Sequence, residues 1–321
     1  MLTSAAQIST LLGGLPLFTI LELTVGLSGV LLRYRVHYEQ KSDRFGVTTG
    51  LRNQLSGMLS FIGMGLKIRR IEGWSGLYKG LFARNLEICL AALAFNYSFG
   101  RHPAAPGFLL ASFAPQFDLQ QCAMYVFIVT AVAVPMRVFI TRATVTPYRL
   151  SDASTVFRVL LSPTERQDLV LLYFIPGLVA AIGIHTILTL YAAITINHLM
   201  LPLLSYSRRK LTRLLSVIGY YALVSLSRAA LTPFDVIATR LALQRRSDEK
   251  ESLDDVELSG QSNGSVPLFA PTTESLVRLR EDSGLEAYKG FIDCWNKIRN
   301  EEGDAALFRG WLGSIAQQFW L

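Results

Sequence analysis

The chain has 321 residues, 51% of them hydrophobic and only 17% charged, with a formal net charge of +7 from 31 Lys and Arg against 24 Asp and Glu. Soluble domains carry about 25% charged residues, so this balance, with a mean hydropathy of +0.35, excludes an ordinary soluble enzyme and disorder over most of the chain. Three scattered cysteines, Cys89, Cys122 and Cys294, exclude a disulfide framework or a zinc site, which leaves a membrane protein.

A spanning helix needs about 20 mostly apolar residues. Leu11 to Leu32 qualifies with one charge, Glu22, and Leu81 to Gly100 with Arg84 and Glu87. Leu119 to Met136 and Leu169 to Ser207 contain no Asp, Glu, Lys or Arg. The second of these is longer than one perpendicular span and is expected as one long tilted helix, or a helix with an apolar extension. Leu214 to Leu243 carries Arg228, Asp235 and Arg240. Ala305 to Leu321 is short and carries only Arg309. The sequence therefore predicts five spans and an incomplete sixth. The runs are long, continuous and rich in Leu and Ala, which favours helices over the short alternating strands of a barrel. Between the last two runs, Arg245 to Ala287 is polar and aperiodic and reads as a solvated, disordered loop. The first basic residue is Arg33, so no basic leader is expected.

Internal repetition fixes the architecture. Ser60 to Gly73 matches Gly290 to Gly303 without a gap at Phe-Ile, Lys-Ile-Arg and Glu-Gly. The match continues as Glu72-Gly, three residues, Leu-Tyr-Lys79-Gly80 against Glu302-Gly, three residues, Leu-Phe-Arg309-Gly310. A second pair aligns Pro135-Met-Arg137-Val-Phe-Ile-Thr-Arg142 with Pro233-Phe-Asp235-Val-Ile-Ala-Thr-Arg240. Ser28 to Arg35 is a weaker third copy. In the middle unit the Glu-Gly is missing and Ile175-Pro-Gly177 stands in the aromatic-basic-Gly place.

These motifs resemble those of the mitochondrial carrier family, over essentially the whole chain. The resemblance implies an all-α membrane protein of three tandem two-helix repeats, 1–107, 108–207 and 208–321, forming a six-helix bundle with a short sixth helix. Either the chain is truncated there or one side of the bundle is unfilled. The family moves small solutes across the inner mitochondrial membrane by alternating access. Its odd helices end in Pro-x-acid-x-x-base, and acid–base pairs between neighbouring motifs latch the closed state.

Against that pattern the latch is incomplete. Pro233 and Asp235 match, but Ala238 replaces the base; Pro135 matches, but Arg137 replaces the acid and Ile140 the base; Ser28 and Val30 replace Pro and acid, and Arg33 fits the base. The gate candidates are thus Pro135, Arg137, Pro233, Asp235 and Arg33, with Asp235 expected to pair with Arg33 or Arg137. Arg84 and Glu87 share a helix face and, with Glu22 and Arg228, are read as cavity-lining, because lipid-facing charge is costly. Gly80 with Lys79, and Gly310 with Arg309, open helices whose N-termini suit anions; by the resemblance they would hold cardiolipin phosphates. His185 is a lone intramembrane histidine, expected as hydrogen-bonded packing. Arg33, Arg35, Arg142, Arg208, Arg209, Lys210, Arg245 and Arg246 are expected as a headgroup-facing belt. No metal site, cofactor or nucleic-acid partner is indicated, and nothing marks an enzyme. The expected function is transport of an unidentified small solute; the alternative is a non-transporting relative in the outer mitochondrial membrane, serving fusion, organisation or protein insertion.

Overall fold

The computed structural model describes residues 26–39, 50–99, 118–147, 153–206, 210–244, 277–280 and 285–318. All regular structure among them is helical. In chain order the helices are α1 (residues 26–36), α2 (Gly50–Ile71), α3 (Gly73–Leu77), α4 (Leu81–Phe99) and α5 (Leu119–Val145). There follow α6 (Ala153–Leu160), α7 (Pro163–Gln167), a 3-10 segment (Leu169–Phe174), α8 (Leu178–Tyr206) and α9 (Lys210–Leu243). The last are α10 (Phe291–Glu301), α11 (Asp304–Leu307) and α12 (Trp311–Gln318).

Among the described residues three helices are long and apolar enough to cross a membrane: α5, Leu178–Met200 of α8 and Leu214–Leu243 of α9. This is fewer than the five spans expected. Most of Leu11 to Leu32, with Glu22, lies outside the described residues, and α4 carries both Arg84 and Glu87 in its 19 residues. The uncharged stretch after Leu169 is not one helix. Ile175 precedes Pro176, which biases it to extended backbone, and Gly177 takes φ +80°. The apolar run is therefore a 3-10 segment, a break, and then α8, the second of the two forms expected.

α5 starts at Asp118, whose side chain accepts from the Gln120 N–H at 3.5 Å. Pro135 lies inside α5 and Pro233 inside α9; each removes one N–H from the helix ladder. α4 packs on α5, α5 on α8, and α9 on α5, α8 and α12. The core gathers at one end of this bundle. Val134 and Val138 of α5, Leu178 and Ala181 of α8, and Ile237 and Leu241 of α9 are completely buried there, with Cys294 and Ala306 of the short helices beneath them. Towards the other end the same helices expose Phe127 (74%), Tyr191 (68%) and Leu226 (66%). Large apolar residues exposed around long apolar helices suit contact with lipid tails.

The matched segments 60–73 and 290–303 fold alike. Met64 and Ile68 of α2 are buried, as are Cys294 and Ile298 of α10. Gly73 and Gly303 both have positive φ, and each is followed by a short helix ending at a leucine, Leu77 or Leu307. The polar segment after Arg245 is only partly described, but its far end departs from the solvated loop expected. Val277 and Arg280 are buried, and Tyr38 N–H donates to Arg278 O at 2.8 Å. Arg280 holds Glu301 at 2.7 and 2.8 Å, anchoring this end on α10.

Candidate functional site

Three buried arginines organise the packed end. Arg33 donates to Glu72 at 2.5 Å, Arg142 to Glu165 at 2.6 and 3.0 Å, and Arg240 grips Glu302 with both terminal nitrogens. Each arginine also donates its Nε to a carbonyl near the end of another helix. Arg33 reaches Thr144 O of α5 at 2.8 Å, Arg142 reaches Ala242 O of α9 at 3.2 Å, and Arg240 reaches Arg35 O of α1 at 3.3 Å. Those carbonyls lie in a last helical turn, where no intrahelical donor remains. Each acceptor sits two residues after the next arginine in the cycle, so the three links close a ring: α1 to α5, α5 to α9, α9 to α1.

The ring corrects two expectations from sequence. Arg33 does not face Asp235; it is the counterpart of Arg142 and Arg240, so the first copy of the motif is read two residues too late. In the corrected register Gly26, Ser28 and Leu31 stand at the proline, acid and base positions. The middle unit also retains its glutamate. Glu165 lies twelve residues before Gly177, whereas Glu72 and Glu302 lie eight before Gly80 and Gly310. Its signal was the capping box Ser162-Pro-Thr-Glu165, in which Ser162 N–H donates to Glu165 at 3.0 Å and Glu165 N–H to Ser162 at 3.4 Å. Burial pushes the Glu165 carboxyl up, but the Arg142 hydrogen bonds and charge, with the Ser162 N–H, outweigh it and hold the group below the ordinary carboxylate value.

The residues expected to meet lipid phosphate point elsewhere. Lys79 donates to Glu72 at 2.8 Å and Thr146 O at 2.7 Å, and Arg309 to His37 O and to Glu39 at 3.2 Å. Burial lowers the Lys79 ammonium to about 8 despite its bond to Glu72. Gly80, Gly177 and Gly310 share φ near +80°. Arg33, Arg35 and Arg142 are likewise not a headgroup belt, being 0%, 5% and 3% exposed. Carboxylates and helix-end carbonyls take the donors of Arg33 and Arg142, and Arg35 donates to Asp235 and to Ser314 Oγ.

Beyond the ring, residues of α4, α5, α8 and α9 line a cavity of about 240 Å³. Its charged lining is Glu87, Arg137, His185, Arg228 and Asp235, set among Phe95, Tyr125 and aliphatic side chains. Asp235 lies 3.4 Å from Arg35, 3.7 Å from Arg137 and 3.7 Å from His185 Nε2, and thus binds α9 to α1, α5 and α8. Arg35, placed in the headgroup belt by sequence, fills the role expected of Arg33. His185 is not isolated packing but a cavity residue beside a carboxylate, a pairing invisible while helix register is unknown. Arg84 and Glu87 pair at 2.9 Å, with Glu87 in the cavity wall. Pro135 and Pro233 lie two residues before Arg137 and Asp235, at the cavity's packed end. Glu22 lies outside the described residues. Among the described residues no group of His, Cys, Asp and Glu is placed to hold a metal ion.

Residues 217–320 match the family model of the mitochondrial carrier protein. That span takes in most of α9, α10, α11 and α12, hence Asp235, Arg240, Glu302 and Arg309. No curated protein matches the chain.

Proposed function

We propose that this chain, whose residues 217–320 match the mitochondrial carrier model, belongs to that family and carries a small solute across a mitochondrial membrane by alternating access through the cavity between α4, α5, α8 and α9. The family is one of membrane transporters, not enzymes. The observation that carries the proposal is the charged cavity itself: five ionisable residues line a space among apolar helices, where charge is tolerated beside water or a charged cargo. Three tandem repeats, 1–107, 108–207 and 208–321, forming a six-helix bundle, are supported by the threefold recurrence of the Arg–Glu pair and its carbonyl link. In this reading Asp235, Arg35 and Arg137 gate the end towards the ring, and Pro135 and Pro233 give α5 and α9 their bending points. Lipid phosphate, cardiolipin included, would meet backbone N–H groups at the starts of α4 and α12, since Lys79 and Arg309 are engaged inside. The inner membrane is the family's default location.

The test is solute exchange by purified protein in liposomes, against nucleotides, carboxylates, amino acids and inorganic ions. Exchange of any one of them above empty liposomes supports the proposal; folded protein that exchanges none sinks it.

One observation favours the second reading, a carrier-shaped protein of the outer membrane. The gate has a single carboxylate, Asp235, and Leu31, Ile140 and Ala238 at the three base positions, where a full latch would have three interlocked pairs. Protease added to intact mitochondria separates the locations. Cleavage within 245–276 without rupture of the outer membrane places the protein there.

A further inference from the structure

The segment 277–280 crosses the packed end in line with the cavity. Val277 is buried in a cluster with Leu32 and Val36 of α1 and Ile140 of α5. Leu279 packs against the same cluster, as do Ala83 of α4 and Leu243 of α9. This seat continues the walls of the cavity. Ala83 lies four residues from Glu87 on α4, and Ile140 three from Arg137 on α5, spacings that share a helix face. Ile140 also stands at a base position of the repeated motif. Where a latch of charges would have a cation, this chain makes an apolar contact with Val277.

Polar contacts fasten the segment on both sides. The Tyr38 N–H donates to Arg278 O at 2.8 Å and the Arg278 N–H to His37 Nδ1 at 3.2 Å, just beyond α1. The Arg280 guanidinium donates to both carboxylate oxygens of Glu301 on α10 at 2.7 and 2.8 Å, and lies 4.8 Å from the centre of the Tyr288 ring. The segment thus ties the exit of α1 to α10, while its apolar side chains bridge α1, α4, α5 and α9. The seat exists only while those helices are together. Once they part, no single wall gives Val277 and Leu279 the same burial. A contact made in one of two states shifts the equilibrium towards that state by its own free energy.

We propose that residues 277–280 form a strap that holds the packed end of the bundle closed, in place of the charge pairs missing from the latch. The inference rests on the alternating-access reading, in which this end has to open, and names what opposes the opening. The strap and the Asp235 cluster stabilise one closed state, so loss of either raises the population of the parted one.

The test reads access to the cavity, for which no solute need be known. Ala238 lines the cavity and is 2% exposed. With Cys89 and Cys122 replaced by serine, Ala238→Cys in the full chain in liposomes reports through its rate of reaction with a charged maleimide. Val277→Ser combined with Leu279→Ser should raise that rate at least about tenfold. Arg280→Glu should also raise it, and adding Glu301→Arg, which restores the pair with its charges exchanged, should bring the rate most of the way back. Arg299→Gln, at an exposed position, should leave it unchanged. Melting curves establish that each variant is folded, and if the serine pair does not fold, the charge exchange carries the comparison. An unchanged rate in folded strap variants overturns the proposal, as does a rise in Arg280→Glu that Glu301→Arg fails to reverse. Faster labelling in the strap variants of a protein that exchanges no solute keeps the strap and removes transport; solute exchange with labelling indifferent to the strap keeps transport and removes the strap.

Discussion

Glu165 and Glu302 each meet a buried guanidinium with both carboxylate oxygens, and the consequence is asymmetric. Leaving a buried arginine without its partner costs about 3–5 kcal/mol, because the carbonyls around it cannot neutralise the charge. Glu165→Gln and Glu302→Gln should therefore each lower stability by about 3 kcal/mol, read as midpoint shifts in detergent. Breaking the exposed Arg299–Asp304 pair (60% and 71% exposed) should cost less than about 1 kcal/mol. The pH dependence has a definite sign. The Glu165 carboxyl lies below its ordinary value of 4.5, so its contribution is complete above about pH 4.5 and is lost as pH falls through the folded value. Glu165→Gln should flatten the acid limb of the stability curve relative to the native chain. An unchanged acid limb would remove Glu165 from the proton balance of folding. These roles were half legible in sequence. Glu72 and Glu302 announce each other by their shared register, but Glu165 is displaced by four residues relative to Gly177 and sits inside a capping box that explains it locally. Arg33 was misplaced because α1 has no proline to pin the motif.

At the scale of elements, three glycines in the left-handed region let α4, α8 and α12 begin tight against a neighbouring segment, and the neighbours differ. A Cβ on Gly80 would meet Thr144 and Ile140 at ordinary contact, 3.4 Å or more. On Gly310 it would lie 2.3 Å from Leu31 Cδ1, the movable end of a side chain. On Gly177 it would lie 2.2 Å from the Phe291 backbone nitrogen, which cannot move without carrying α10 with it. All three alanine substitutions bear the left-handed backbone cost of about 1–2 kcal/mol. Stability should therefore fall in the order Gly80→Ala, Gly310→Ala, Gly177→Ala, the last exceeding about 3 kcal/mol. Equal midpoints across the series would mean that backbone conformation alone, and not close approach, requires glycine here. The sequence pointed to Gly80 and Gly310 through their shared aromatic-basic-Gly setting. It also put Gly177 in the same place, although Ile175 and Pro176 supply neither aromatic nor base. What it could not reveal was the neighbour, since contact between Gly177 and Phe291 joins segments 114 residues apart.

At the scale of the whole molecule, the ring and the Asp235 cluster hold the same helices at different depths with different strengths. The ring pairs are close and almost fully buried, with Glu72 and Glu302 side chains 2% and 0% exposed, whereas Asp235 sits 3.4–3.7 Å from its partners and is 20% exposed. On the proposed transport reading, the ring would be the fixed point and the looser cluster the contact that parts. One carboxylate separates three basic side chains from one another, so Asp235→Asn does more than delete a pair: Arg35 and Arg137 are left facing each other across α1 and α5. On that reading a parted state would gain relative to the closed one, each 1.4 kcal/mol of the gain being tenfold in population. Ala238 reports on it, because it lines the cavity one turn from Asp235 and is only 2% exposed. With Cys89 and Cys122 replaced by serine, Ala238→Cys should react slowly with a charged maleimide and at least about tenfold faster when combined with Asp235→Asn. Cys294 remains silent in this assay, since it is fully buried and burial pushes its thiol up to about 12. Equal labelling rates with and without Asp235 would mean that the cluster does not hold the packed end closed, and the gate would then have to be sought in the ring.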